Sequence, residues 1–145
     1  MNRIVILIVI SLFCGLSCRK TESDNSDLIG TKWTLSTVQD TKANTVLAFP
    51  DDASRKISIV FTDSLNTLIF SGICNGGTGS YSINSDQGTL TVLNLGATKI
   101  YCKYAEWERY TLENLNTSFS YKMSGTNLTV YSNGDYNLSF ISNSR

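Results

Sequence analysis

From residue 28 onward, polar and apolar positions alternate with a period of two, and short clusters of Gly, Asn, Asp and Ser interrupt the rhythm. That pattern predicts half-buried β-strands joined by turns. Trp33, Leu35 and Thr37 share one face of the first strand, opposite Thr34, Ser36 and Val38. Ile57, Ile59 and Phe61 mark the second, and residues 67–73 and 79–83 flank a glycine-rich stretch. Leu90 and Val92, with Asn94, continue the series. Phe119, Tyr121 and Met123, then Leu128 and Val130, then Tyr136, Leu138 and Phe140 complete it. The turn sequences S-D-Q-G, S-G-T-N and S-N-G-D separate these runs as hairpins require. About eight short, closely spaced strands predict a mainly β fold, a small antiparallel meander or barrel. Residues 41–54, holding the only proline, Pro50, lack alternation and read as a long loop, a candidate for partner contact.

One segment has a different period. Residues 103–116 (K-Y-A-E-W-E-R-Y-T-L-E-N-L-N) contain good helix formers and neither glycine nor proline. At 100° per residue Tyr104, Ala105, Trp107, Thr111, Leu112 and Leu115 gather on one face, opposite Lys103, Glu106, Arg109 and Glu113. This is an amphipathic helix laid against the sheet. Glu108 falls inside the apolar face. It reads either as a helix-edge glutamate bonded to a backbone amide, the reading we favour, or as a buried carboxylate able to act as acid or base. Glu106 and Glu108, two apart, point to different faces and form no catalytic pair.

Composition narrows the chemistry. The 145-residue chain fits one domain, and 41% hydrophobic residues can supply its core. Twelve basic and twelve acidic side chains cancel, leaving no basic stripe for a phosphate backbone, so nucleic acid is not an expected partner. The absence of histidine removes the commonest general base and the commonest metal ligand together. Neither a C-x-x-C redox motif nor a zinc-type cluster is present, so no cofactor and no metal are expected. The glycine-rich stretch S-G-I-C-N-G-G-T-G lacks the Lys-Ser/Thr and the following helix that a phosphate loop needs. Asn75-Gly76 readily takes positive φ, and Gly72, Gly77 and Gly79 permit bulges or close backbone approach.

The N-terminus speaks to location. Met1-Asn2-Arg3 is followed by about ten apolar residues, too few for the ~20 of a transmembrane helix but matching a secretory signal. G-L-S-C, residues 15–18, resembles a bacterial lipobox, with Gly15 where an aliphatic residue is usual and Leu16 one place later. This implies residues 1–17 as a lipoprotein signal, lipid on Cys18, and residues 18–27 as a polar tether. The tether's last nine residues would reach roughly 30 Å when extended. Of the four cysteines, Cys14 then leaves with the signal and Cys18 carries lipid. Cys74 and Cys102 remain, in a compartment where disulfides persist; a disulfide between them or two buried thiols are the alternatives.

The stretch G-I-C-N-G-G-T-G-S-Y resembles the G-x-C-N…G-x-Y signature of the META domain, found in HslJ-like bacterial envelope proteins. T-K-I-Y-C at 98–102 is similar to that family's threonine-to-cysteine segment, and Glu108 and Leu115 fall where its helix carries a glutamate and a leucine. G-T-K-W-T-L and Y-K-M-S-G-T-N-L-T-V match its opening strand and closing hairpin, so the likeness spans residues 28–141. Thr111 departs from the pattern, standing where an aromatic usually follows the glutamate. The resemblance implies a META-like domain over 28–145 and a lipocalin-like barrel with one helix. It also implies structural roles for Cys74, Asn75 and Cys102, and no shared catalytic residue. The family has been linked to heat-induced expression, drug tolerance and virulence. The expected function is therefore a non-enzymatic lipoprotein of the bacterial envelope, in the outer membrane, acting in stress tolerance or as a binding module. Its partners would be the membrane, through its lipid, and an unidentified protein or small apolar ligand. The alternatives are a carrier with Trp33, Phe61 or Tyr81 lining an apolar cavity, and an enzyme built around Glu108.

Overall fold

A computed structural model describes residues 27–143; the leader and the lipidation candidate Cys18 lie outside them. Nine strands form in chain order: β1 (Lys32–Asp40), β2 (Thr45–Ala48), β3 (Ser58–Thr62), β4 (Thr67–Ser71), β5 (Gly76–Asn84), β6 (Thr89–Ala97), β7 (Ser118–Ser124), β8 (Asn127–Ser132) and β9 (Tyr136–Ser142). One helix, α1 (Ala105–Asn116), separates β6 from β7. β1 and β3 to β9 pair antiparallel in sequence order, and β9 returns to β1, closing an eight-stranded barrel. Closure leaves no strand of the barrel wall unpaired, although β6 and β7 meet only at Thr89 and Ser120. β2 stands outside the count: it pairs only with Thr37–Asp40 of β1, beyond the point where β3 has ended. The segment expected as a loop therefore holds a strand. Its side chains are all exposed, so it carries no alternation for sequence reading to detect.

The interior is a single apolar core that includes Trp33, Ile59, Phe61, Phe70, Leu90, Leu128 and Phe140. Three phase breaks decide who belongs to it. A bulge between Leu35 and Thr37 turns Val38 inward, where strict alternation would place Thr37. In β6, Asn94 adopts φ 54° and Leu95, rather than Asn94, is buried. In β7 a register shift between Ser118 and Ser120 leaves Phe119 outside, and Ser118 and Tyr121 face inward. Each break adds one residue to a strand, which flips the side chains beyond it.

The strands give the barrel two distinct ends. Gly30 bonds to Phe61 beside the β3–β4 connection, Ser142 bonds to Thr126 in the β7–β8 turn, and the β5–β6 turn lies at the same end. Both termini of the described chain thus leave together. The opposite end carries the β1–β2 hairpin, the 49–57 segment, the 72–75 loop, the β8–β9 turn and α1. Trp107, Thr111 and Leu115 of α1 face inward, and Trp107 packs edge-on against Phe49 at 5.3 Å. Burying a side chain such as Leu115 stabilises the fold by about 1.5–3 kcal/mol. Thr111 is fully buried and donates its hydroxyl to the Trp107 carbonyl at 2.8 Å.

Candidate functional site

The helix-bearing end gathers the residues singled out above. Cys74, in the 72–75 loop, and Cys102, just before α1, are joined by a disulfide with 6.4 Å between their Cα atoms. Below it lies Glu108, only 3% exposed. Its Oε1 accepts the backbone N–H of Cys74 at 2.7 Å and that of Asn75 at 3.1 Å. Its Oε2 accepts the Asn75 side-chain amide at 2.5 Å. Glu108 is therefore bonded to backbone amides from within the protein, not at a helix edge. A buried carboxylate is tolerable only when so satisfied, and charge-assisted bonds of this kind are the stronger ones.

Asn75 carries the network across to the neighbouring segment. Its Oδ1 accepts from the Thr98 hydroxyl at 2.8 Å and from Ile100 N at 2.7 Å, and its amide also donates to Ile100 O at 2.8 Å. One asparagine thus imitates a strand partner for Ile100. The backbone of residues 98–102 is fixed while Ile100 and Tyr101 point outward, 60% and 93% exposed.

The glycines serve close approach. A Cβ on Gly72 would sit 2.3 Å from Glu108 Oε1, and one on Gly77 would sit 1.8 Å from the Gly96 carbonyl oxygen. Positive φ, expected at Asn75-Gly76, is absent there; among the described glycines it occurs at Gly30, Gly88 and Gly125.

Two further features lay beyond sequence reasoning. Asp52 accepts the Tyr104 hydroxyl at 2.6 Å and pairs with Lys103 at 3.0 Å, tying the 49–57 segment to the start of α1. The Tyr104 hydroxyl and then Lys103 hold the Asp52 carboxyl below its ordinary range, and Tyr104 and Asp52 raise Lys103. Nothing in the sequence links positions 52 and 103. At the other end of α1, buried Asn114 accepts from Ser132 Oγ at 2.9 Å and Tyr136 N at 3.0 Å, joining the helix to the β8–β9 turn.

A cleft of about 300 Å³ opens beside the disulfide, lined by Asp52, Ser54, Cys74, Cys102, Lys103 and Tyr104 among others. Trp33, Phe61 and Tyr81, the residues considered as cavity lining, are instead buried in the core. Phe61 meets Tyr81 edge-on at 5.0 Å, and Trp33 Nε1 donates to the Leu28 carbonyl at 3.1 Å. Burial pushes the Tyr81 hydroxyl up, the nearby Asp63 adding to the effect. Cys74, Cys102 and Glu108 also place three ligand-type atoms within 4.8 Å of one another, a grouping that their spacing in sequence does not suggest.

This architecture has solved counterparts. It is similar to a protein from Burkholderia xenovorans determined by NMR, at a TM-score of 0.68 and 19% identity, covering 100% of this chain and 99% of that one. It is also similar to a crystal structure of a DUF4847 family protein from Bacteroides vulgatus, at a TM-score of 0.63 and 15% identity over 83% of this chain and 98% of that one. At such identities the likeness speaks to the fold. No curated protein matches the chain. The META domain itself matches residues 26–145, a span that takes in the whole barrel, the Cys74 loop and α1. The chain belongs to the META domain family.

Proposed function

We propose that this protein is a membrane-tethered binding module of the bacterial envelope. Lipid on Cys18 anchors it, and the barrel presents the 98–102 segment to a partner in a stress-tolerance role. The observation that carries the reading is the pinned display of Ile100 and Tyr101. They stand exposed on a backbone that Asn75 holds at both N–H and C=O. A loop ordered before binding loses little further entropy when it binds, so exposed apolar contacts there translate into affinity. Topology adds direction. The described chain begins at the barrel end opposite α1, so Tyr101 lies at the far end of the barrel from residue 27.

Binding is favoured over catalysis because Glu108, the carboxylate considered as an acid or base, already accepts three N–H donors. The packed rings of Trp33, Phe61 and Tyr81 likewise weigh against an apolar carrier.

The test has two parts, both made on the full-length chain in a bacterial host. Mass spectrometry of the mature N-terminus should find a lipid-modified Cys18, and Cys18→Ser should move the protein from the membrane to the soluble fraction. An unmodified Cys18 overturns the anchoring. A photo-crosslinker in place of Tyr101 should give a discrete adduct that Ile100→Ser abolishes. Adducts no different from those of a crosslinker on the opposite end, at Asp86, overturn the binding surface.

A further inference from the structure

We propose that opening the Cys74–Cys102 disulfide creates a binding site for a thiolate-seeking divalent cation, zinc in the first instance, held by both sulfurs and the Glu108 carboxylate. The proposal concerns the buried side of this end and is independent of any partner at Tyr101.

Three observations carry it. The first is ligand geometry. The candidate ligand atoms of Cys74, Cys102 and Glu108 all lie within 4.8 Å of one another, and Glu108 Oε2 is 3.7 Å from Cys74 Sγ. Zinc–sulfur bonds near 2.3 Å and zinc–oxygen bonds near 2.1 Å at a tetrahedral angle set that sulfur–oxygen separation at roughly 3.6 Å. The carboxylate therefore already stands where a ligand beside Cys74 would have to stand. Once the sulfur–sulfur bond is broken, repulsion between the sulfurs moves them apart and makes room for an ion between them.

The second observation concerns the carboxylate. A carboxylate offers about four acceptor positions. Oε1 receives two donors and Oε2 receives one, so capacity remains on Oε2, the oxygen nearer Cys74. Among the described residues Glu108 makes no salt bridge, so its buried charge rests on neutral N–H donors. A cation is the partner such a group lacks. The donors supply the outer support that metal ligands require, because the Cys74 and Asn75 amides fix the carboxylate's orientation. That support does not depend on the disulfide, so the oxygen ligand persists after reduction.

The third observation is access. The 300 Å³ cleft is lined by both cysteines, giving an ion a route in and leaving space for a water as fourth ligand. Two sulfurs and one carboxylate oxygen plus water form a mixed, partly open set that suits zinc and its softer congener cadmium.

The chemistry balances with a dithiol as reductant. Two successive thiol–disulfide exchanges transfer two electrons and two protons to the cystine, yielding two protein thiols and the oxidised, cyclic form of the dithiol. The cation then displaces one proton from each thiol into solvent and binds the two thiolates. The bound ion occupies both sulfurs and so blocks reformation of the disulfide. The site is thereby closed to metal when oxidised and open when reduced.

The purified full chain with Cys14 and Cys18 replaced by serine, oxidised or reduced with dithiothreitol and desalted without oxygen, is titrated with cadmium while sulfur-to-cadmium charge-transfer absorption is recorded. Reduced protein should bind one equivalent and oxidised protein none. Glu108→Gln should weaken binding at least tenfold, the lower bound for disturbing a site's supporting shell and hence a minimum for losing a ligand. Because that variant can fail to fold, X-ray absorption of the same zinc-loaded chain with Glu108 intact provides a second reading. Two sulfur and two oxygen neighbours support the proposal. Absence of stoichiometric binding by reduced protein, equal binding by the oxidised form, or a shell without sulfur or without oxygen overturns it.

Discussion

The two ends of α1 solve one problem in different ways. At each, the barrel wall is interrupted and a helix side chain satisfies backbone groups that a neighbouring strand would otherwise serve. Near the N-terminal end, Glu108 gathers the amides of the 72–75 loop, and Asn75 extends the network to Ile100. Near the C-terminal end, β6 and β7 share only the pair Thr89 and Ser120. The open seam beyond it is closed by Ser118 Oγ on Val92 N, and by Asn116, which accepts from Leu95 N at 3.0 Å and donates to Leu95 O at 2.9 Å. The first junction uses an ionised acceptor under a covalent clip; the second uses neutral groups alone. Since bonds to charged groups contribute about 1.5–3 kcal/mol and neutral ones about 1, the Glu108 junction should be the stronger.

The comparison can be broken from its strongest member downward. Glu108→Ala leaves two loop amides and one amide of Asn75 without their acceptor, and should lower unfolding stability by about 3–5 kcal/mol in a denaturant titration. A loss under 1 kcal/mol would show that water replaces the carboxylate. Replacing Cys74 and Cys102 together by serine should cost about 3.6 kcal/mol, the chain-entropy value for a closed loop spanning 28 residues, read in the same titration. Asn116→Ala orphans both backbone groups of Leu95 and should cost about 1–2 kcal/mol, with faster amide exchange confined to the β6–β7 seam.

The smallest effect is electrostatic. Because folding lowers the Asp52 pKa, through the Tyr104 hydroxyl first and Lys103 second, the folded state binds that proton less tightly than the unfolded chain. The resulting stability is present above the ordinary carboxylate range and fades as pH falls through the lowered folded value. Asp52→Asn should flatten this part of the acid limb by removing a small increment at neutral pH while leaving stability at low pH nearly unchanged, since the group is largely exposed.

The same contrast explains what the sequence made legible. Alternation reports which face of a strand is buried, so the eight barrel strands and the helix could be read directly. It fails at Thr37, Asn94 and Phe119, where bulges are set by the neighbouring strand and not by the residue itself. It fails also at β2, whose both faces meet solvent. At the site, Glu108 announced itself as a charge inside an apolar stripe. Its role depends on loop residues 33 and 34 positions away, a distance at which local pattern carries no information. Asn116 gave no signal of any kind, since an asparagine at a helix end is ordinary.

The central claim is that the buried carboxylate, more than the disulfide, organises the 72–75 loop. Native-state hydrogen exchange at the amides of Cys74 and Asn75, compared between oxidised and fully reduced protein, tests it most directly. Protection of both amides should survive reduction, because both donate to Glu108 rather than depending on the clip. Loss of that protection on reduction alone, with the rest of the barrel still protected, would contradict the account.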